Sequence, residues 1–310
     1  MPPESRALLP PPPGAAPAGE TAGAPALAET RRLVQRIVDL PTLPTVIPTV
    51  FRLAEDHRSS ARDLARVIAN DQSLASRILR LANSAFYGFA REITSINQAV
   101  VLLGFETVKS IVLASTVFST LGAGEAASPF DRQAFWLHAV AAATAARILG
   151  RGRKGLDLEE AFVSGLLHDV GKVVLDRFFA GRYGQAVRLA EARQCLLREA
   201  EAAVFGVDHA EIGRWLAERW RLPHGIVAAV AHHHSPADST GSSAELVAAV
   251  HLADVVARNA GIGSGGDPLV PLPDPEALAR LGAGPAHLAH WTQALAAEAP
   301  GVNAFFLEML

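Results

Sequence analysis

His138, His168, Asp169, His209, His233, His234 and Asp254 carry the imidazole and carboxylate atoms from which divalent transition metals take ligands. Ten of the 11 histidines lie between positions 138 and 290, and only His57 precedes them. A histidine standing alone is usually a hydrogen-bonded core or surface residue. Clustering and spacing change that expectation. Neutral imidazole with carboxylate suits zinc, iron or manganese, whereas an all-oxygen set would suit magnesium or calcium.

His138 stands 11 residues before Leu149, the expected end of one helix, and His168 stands 11 residues after Asp157, the expected N-cap of the next. If these helices pack antiparallel, a rise of about 1.5 Å per residue puts both imidazoles at the same height, where they can share a metal. Asp169 follows His168 directly, about 100° around the helix, so one residue can ligate from the side while its neighbour bridges. Gly171 then permits a helix stop, and Lys172 brings an ammonium to the same place; alone it would read as a cation at a helix C-terminus. Asp208-His209-Ala210-Glu211 reads as a capping box that fixes His209 in a first turn, and Gly213 allows another helix to approach closely. His232, His233 and His234 sweep about 200° of a helix, so not all three can face one site. Asp254 sits in an apolar helix, where an unpaired carboxylate is costly and a cation relieves it. His251, one turn earlier, is read as a core hydrogen-bonding residue or a support for a ligand.

The elements that must position these residues are helical throughout. Apolar residues recur at helical spacing from Thr30 (Leu33, Ile37, Val38), and Pro41 and Pro44 then break the run. Leu64, Val67 and Ile68 form one short apolar face; Leu74, Ile78 and Leu81 form the next, with Asp71 at the N-cap position. Ile96, Val100 and Leu103 form a third, ended by Gly104, before a longer helix through Val108 to Phe118. Helices are expected near 131–149, 158–170, 179–202, 209–220, 223–234 and 243–259, with a looser tail from Gly261 that re-forms helices near 275–281 and 285–297. No alternating apolar run signals a strand. The expected fold is therefore all-α, divided into a leader (1–29), an N-terminal helical lobe (30–125), a metal-site lobe (126–260) and a C-terminal helical tail (261–310). The leader holds eight of the 20 prolines and no hydrophobic period, a composition that buries too little apolar surface to fold.

A 310-residue chain, half of it hydrophobic, can build a sizeable core. Its net charge of -3 gives no footprint for nonspecific nucleic-acid binding. The two short helices spanning 62–81 resemble a helix-turn-helix, but Asp63 and Asp71 offset Arg62, Arg66, Arg77 and Arg80, so packing is the expected role and DNA is not an expected partner. The longest apolar stretch, Thr107 to Leu121, is too short to cross a bilayer, and the N-terminus lacks the blocks of a secretory signal. With a single cysteine, Cys195, these features point to the cytoplasm.

The order His138, His168-Asp169, Lys172, His209, His233-His234, Asp254 resembles the HD superfamily of metal-dependent phosphohydrolases, including its HD-GYP branch. LeuProThrLeuPro at 40–44, AsnAsp at 70–71, IleLeuArgLeuAlaAsnSerAlaPheTyrGly at 78–88 and SerIleAsnGlnAlaValValLeuLeuGly at 95–104 narrow the resemblance to the HDOD family of bacterial signalling proteins. PheValSerGlyLeuLeuHisAspValGlyLys at 162–172 and HisAlaGluIleGly at 209–213 are similar to the same family. The resemblance implies an N-terminal helical lobe packed on an HD-like bundle, and a divalent Fe, Mn or Zn, mono- or dinuclear, at the seven residues named. It implies a regulatory module that acts through a protein partner or a bound ligand. The alternative it implies is a metal-dependent phosphohydrolase acting on a nucleotide or cyclic dinucleotide, in which Lys172 would neutralise phosphate charge. Two departures weigh against cyclic-dinucleotide hydrolysis: Ala134 replaces the acidic ligand of HD-GYP proteins, and Ser235-Pro236 replaces the start of the GlyTyrPro segment.

Overall fold

The computed structural model describes residues 43–56, 58–122 and 128–310. The expected leader, the helical run from Thr30, His57 and most of the expected hinge at 122–129 lie outside the described residues. Within them the chain is helical with no strand.

The N-terminal helices are α1 (Val46–Glu55), α2 (Ala61–Ala69), α3 (Gln72–Ala82), α4 (Ile96–Leu103) and α5 (Phe105–Leu121). Ser60, Asp71 and Ser95 cap α2, α3 and α4 with their side-chain oxygens, satisfying N–H groups that a helix start leaves without partners. Leu64, Ile68, Leu74, Ile78 and Leu81 are fully buried, so the 62–81 pair serves packing. The helix α1 was not anticipated, because Pro48 obscures its apolar face.

Next come α6 (Arg132–Gly150), capped by Asp131, and α7 (Leu158–Leu167), capped by Asp157. These two pack against each other as the spacing argument required, and α13 (Ala244–Ala260) packs across both. Alanines at 139, 141–143, 145 and 146 suit α6 to this position: they favour helix and let neighbouring axes approach closely. Around this core run α8 (Val170–Phe178), α9 (Ala180–Arg193), α10 (Leu197–Phe205), α11 (His209–Arg219) and α12 (His224–His232). The chain then forms α14 (Pro275–Arg280), α15 (Pro285–Ala297) and α16 (Ala299–Met309). The last packs on both α3 and α6, joining the N-terminal helices to those that follow. Phe86 marks that junction, 5.0 Å from Phe305 and 6.0 Å from Phe162 between ring centroids.

Two expected helices are interrupted. The 158–170 helix breaks at His168-Asp169, where Asp169 adopts φ -100° and ψ 12° before α8 begins. The 179–202 helix ends at Gln194, which is left-handed, and restarts as α10. Gly171 is not a stop. It lies inside α8, where a Cβ would stand 2.0 Å from the carbonyl oxygen of His209, so its lack of a side chain lets α11 approach α8. Gly213 faces the same contact, as expected.

Candidate metal centre

The break between α7 and α8 aims two consecutive side chains into one cavity, which an unbroken helix would splay by about 100°. His168 and Asp169 both become fully buried there. His138 reaches them from the middle of α6, its ring centroid 5.6 Å from that of His168. Asp254 comes from α13, its Oδ1 3.0 Å from His138 Nε2 and 3.6 Å from His168 Nε2. On the other side, Asp169 Oδ1 lies 2.9 Å from His209 Nε2 and 3.3 Å from His233 Nε2. His234 Nε2 is 2.8 Å from His209 Nε2. Asp169 Oδ2 faces back to His168 Nε2 at 3.3 Å. All seven sequence-selected residues therefore meet. They form two groups able to hold an ion, His138/His168/Asp254 and Asp169/His209/His233/His234, with Asp169 between them.

The imidazoles are oriented from behind. Nδ1 of His168 donates to the Gly165 carbonyl oxygen (2.7 Å) and Nδ1 of His233 to that of Val230 (2.9 Å), while His209 Nδ1 donates to Glu201 Oε2 (2.6 Å). Each such bond fixes the tautomer and turns Nε2 toward the cavity. His251 supports the arrangement one layer out: its Nδ1 donates to the His233 carbonyl oxygen at 2.7 Å, and its Nε2 accepts from the Asp274 amide at 2.8 Å. His232, the third of the run, stays out of the cluster. Asp208 caps α11 by accepting from the Glu211 amide, but Glu211 turns to Arg214, so only one arm of the expected box forms.

Four contributors were not read from sequence. Glu201 is the buried support of His209. Arg258, one turn after Asp254, donates from Nε to Asp254 Oδ1 at 2.7 Å and from a terminal nitrogen to Asp267 Oδ2 at 2.7 Å. Asp267 and Gly265 come from the segment after α13, which the sequence presented as a loose tail. Lys172 is fully buried and donates to Asp169 Oδ2 (2.7 Å), the Gly265 carbonyl oxygen (2.9 Å) and Asp267 Oδ2 (3.2 Å). It is thus a structural counter-charge within the cluster as well as a helical lysine. The strap lies tight against α6: Ser264 donates its amide to the Ala134 carbonyl oxygen at 2.9 Å, and a Cβ at Gly263 (φ +70°) would stand 2.2 Å from the His138 amide nitrogen.

Burial and charge act against each other throughout. Burial would drive His168 toward its neutral form, yet Asp169 and Asp254 outweigh it and raise its pKa to about 9. Burial is likewise overcome at His209, where Glu201 and Asp169 raise the value to about 10. His233 has no such surplus of carboxylate, and burial pushes it down to about 4. Burial alone would lift Asp169 and Asp254. Cationic neighbours, His168 and Lys172 for the first and Arg258 for the second, hold both well below the ordinary carboxylate range.

The donor set fits a divalent transition metal on the ground of unsatisfied atoms. Both ring nitrogens of His138, Nε2 of His168, Nε2 of His233 and Oδ1 of Asp169 are buried and make no well-aligned hydrogen bond, although imidazole or carboxylate atoms stand 2.9 to 3.6 Å from all but the outer nitrogen of His138. Buried polar atoms are rarely left so, because each costs about 1–3 kcal/mol. His138, His168, His233 and Asp169 all belong to the two groups of residues able to hold an ion.

The described residues form an all-helical fold with paired His/Asp groups buried in its interior. The HDOD domain model matches residues 40–236, and the chain belongs to the HDOD family. An HDOD domain protein of unknown function from Geobacter sulfurreducens has a similar structure, with a TM-score of 0.78 and 26% identity over 92% of this chain and 98% of that one. A protein from Marinobacter aquaeolei VT8, provisionally named for signal transduction, shares the fold at a TM-score of 0.75 with 21% identity, covering 92% of this chain and 66% of its own. An uncharacterized protein of Treponema pallidum (strain Nichols) is 25% identical over 229 residues, 73% of this chain; the chain spans 44% of that relative's length.

Proposed function

We propose that the protein is an HDOD-type regulatory module whose second lobe holds a divalent transition metal, Fe, Mn or Zn, and whose first lobe engages a protein partner. His138, His168 and Asp254 would hold one ion, His209, His233 and His234 a second, and Asp169 would lie between the two. The observation that carries the reading is the set of buried atoms on His138, His168, His233 and Asp169 that converge without a well-aligned hydrogen bond. A bound cation supplies positive charge that draws and polarises an anionic ligand. This chain's residues do the rest: Glu201, Gly165 and Val230 orient the rings, and Lys172 and Arg258 hold the carboxylates in place.

A regulatory role is favoured over turnover by enclosure. Among the seven, only His234 reaches an open cleft; His138, His168, Asp169, His209, His233 and Asp254 are buried, leaving little room for a substrate to meet both groups. The net charge of -3 argues against DNA as a partner. No helix among the described residues is long and apolar enough to cross a membrane. The HDOD assignment and the single cysteine support a cytoplasmic setting.

The phosphohydrolase reading draws on the cleft at His234, with Lys172 neutralising phosphate charge. Elemental analysis of the purified protein, paired with hydrolysis assays on nitrophenyl phosphate mono- and diesters and cyclic dinucleotides, separates the two. Metal without turnover is expected. Metal with turnover would establish the hydrolase, and absence of metal under all loading conditions would refute both.

A further inference from the structure

A groove of about 490 Å³ runs between α1 and the turn that joins α11 to α12, and it shares no lining residue with the cleft at His234. Ile47, Trp220 and Leu222 are buried beneath it, and Phe51 is half-buried in its wall. Around this apolar floor stand Arg52, Arg219 and Arg221, all three exposed. Among the described residues no carboxylate lines the groove and none of the three arginines forms an ion pair, although Arg214, Arg258 and Arg280 each hold a carboxylate. Arg221 has a left-handed backbone, φ +54°, which a residue with a β-carbon adopts only under strain. Glycine would relieve that strain, so the turn alone does not call for arginine; the guanidinium at the rim is what the position adds.

Phe51 and Pro223 also border a second hollow, of about 230 Å³, whose charge is opposite. Glu106, Asp157, Glu159 and Glu160 line it, with Lys109 as its one cation among the described residues. Lys109 pairs with Glu106, Arg147 pairs with Glu159, and Asp157 caps α7, which leaves Glu160 without an ion pair among the described residues. The two hollows together pass from cationic to anionic, with Phe51 common to both. That polarity decides among anionic ligands. A nucleic-acid backbone is uniformly charged and would meet Glu160 in the second hollow. A peptide can confine its carboxylates to one end and lay apolar side chains along the floor.

We infer that this groove docks an acidic, apolar segment of a partner protein, with its carboxylates on Arg52, Arg219 and Arg221 and a bulky apolar side chain against Phe51. This rests on the protein-partner part of the regulatory reading and gives that partner a place and a chemistry. Guanidinium groups pair with carboxylate oxygens two at a time, and the apolar contacts beside them keep water from the pairs.

The test selects short peptides from a random displayed library on the full chain and measures the affinity of the enriched sequence by fluorescence anisotropy. Enrichment of aspartate or glutamate beside leucine or an aromatic residue is expected, with affinity that falls as salt rises. Arg219→Glu combined with Arg221→Glu should weaken that peptide by about tenfold or more. Arg221→Gly should weaken it too, yet leave the melting temperature unchanged or higher, because the left-handed strain is gone; lost binding is then not lost folding. No enrichment, an enriched sequence without acids, or affinity unmoved by the double reversal would overturn the inference. So would displacement of the peptide by single-stranded DNA, tighter binding of a synthetic peptide of residues 30–42 of this chain, or self-association that the double reversal abolishes, each of which names a different occupant. Mn(II) content measured on the same samples reports the metal reading separately. Peptide bound by a chain that takes no metal would refute that reading alone, and metal without peptide would refute the docking alone.

Discussion

Lys172 Nζ donates to Asp169 Oδ2 at 2.7 Å while the other oxygen of Asp169 faces His209 at 2.9 Å, so one carboxylate joins the buried ammonium to the imidazole cluster. Asp169 is therefore the residue on which both groups depend. In Asp169→Ala, metal content should fall to background, and the metal-dependent rise in melting temperature expected of the parent protein should vanish. Elemental analysis and thermal melts with and without added Mn(II) check this. Retained metal would show that neither group depends on Asp169 to hold its ion.

Replacing Lys172 with methionine removes a cation and leaves Asp169 and Asp267 facing each other with only Arg258 between them. Removing one partner of a buried ion pair typically costs about 3–5 kcal/mol, and that loss is expected here in chemical denaturation. A change below about 1 kcal/mol would mean that the buried carboxylates do not need the ammonium.

Gly171→Ala tests the contact between α8 and α11. The added methyl would meet the His209 carbonyl oxygen at 2.0 Å, so α11 must shift and carry His209 with it. A stability loss of about 1–3 kcal/mol is expected, together with weakened metal binding, whereas an alanine at exposed Gly181, where nothing stands within 4 Å, should leave metal binding unchanged.

Ser60 and Asp63 bond reciprocally at the start of α2. Ser60→Ala should destabilise the protein by about 1 kcal/mol. The Ser60 hydroxyl and amide hold the Asp63 carboxyl below its ordinary value, so whatever stability its ionised form adds is full above the ordinary carboxylate pKa and fades as pH falls through the depressed one. NMR titration should show the Asp63 pKa rising in Ser60→Ala; an unmoved value would contradict the assignment.

The helices and the seven clustered residues were legible because they obey local rules. The 11-residue offsets of His138 and His168 convert directly into height along two antiparallel helices, and Asp254 announced itself as a carboxylate in an apolar helix. The break at His168-Asp169 carries no proline, and the nearby Gly171 pointed to the wrong position; tertiary packing sets it. Asp267 and Gly265 sit in a glycine- and proline-containing stretch with no period to read, about 95 positions from Lys172, which they meet only in space. Arg258 was within reach, since an acid followed four residues later by arginine on one helix is a recognisable pair. The final helix α16 was missed because Pro300 and Gly301 occupy its first turn, where proline is in fact well suited.

The HDOD match ends at residue 236, yet the carboxylate opposing His138 is at 254 and the strap that seals Lys172 runs to 267. The unit of recurrence and the unit of chemistry thus have different borders. A protein trimmed at the family boundary would keep six of the seven cluster residues and lose the counter-charge for two buried histidines and one buried lysine. In this chain the shortest segment that can be electrically complete extends some thirty residues past the segment that identifies it.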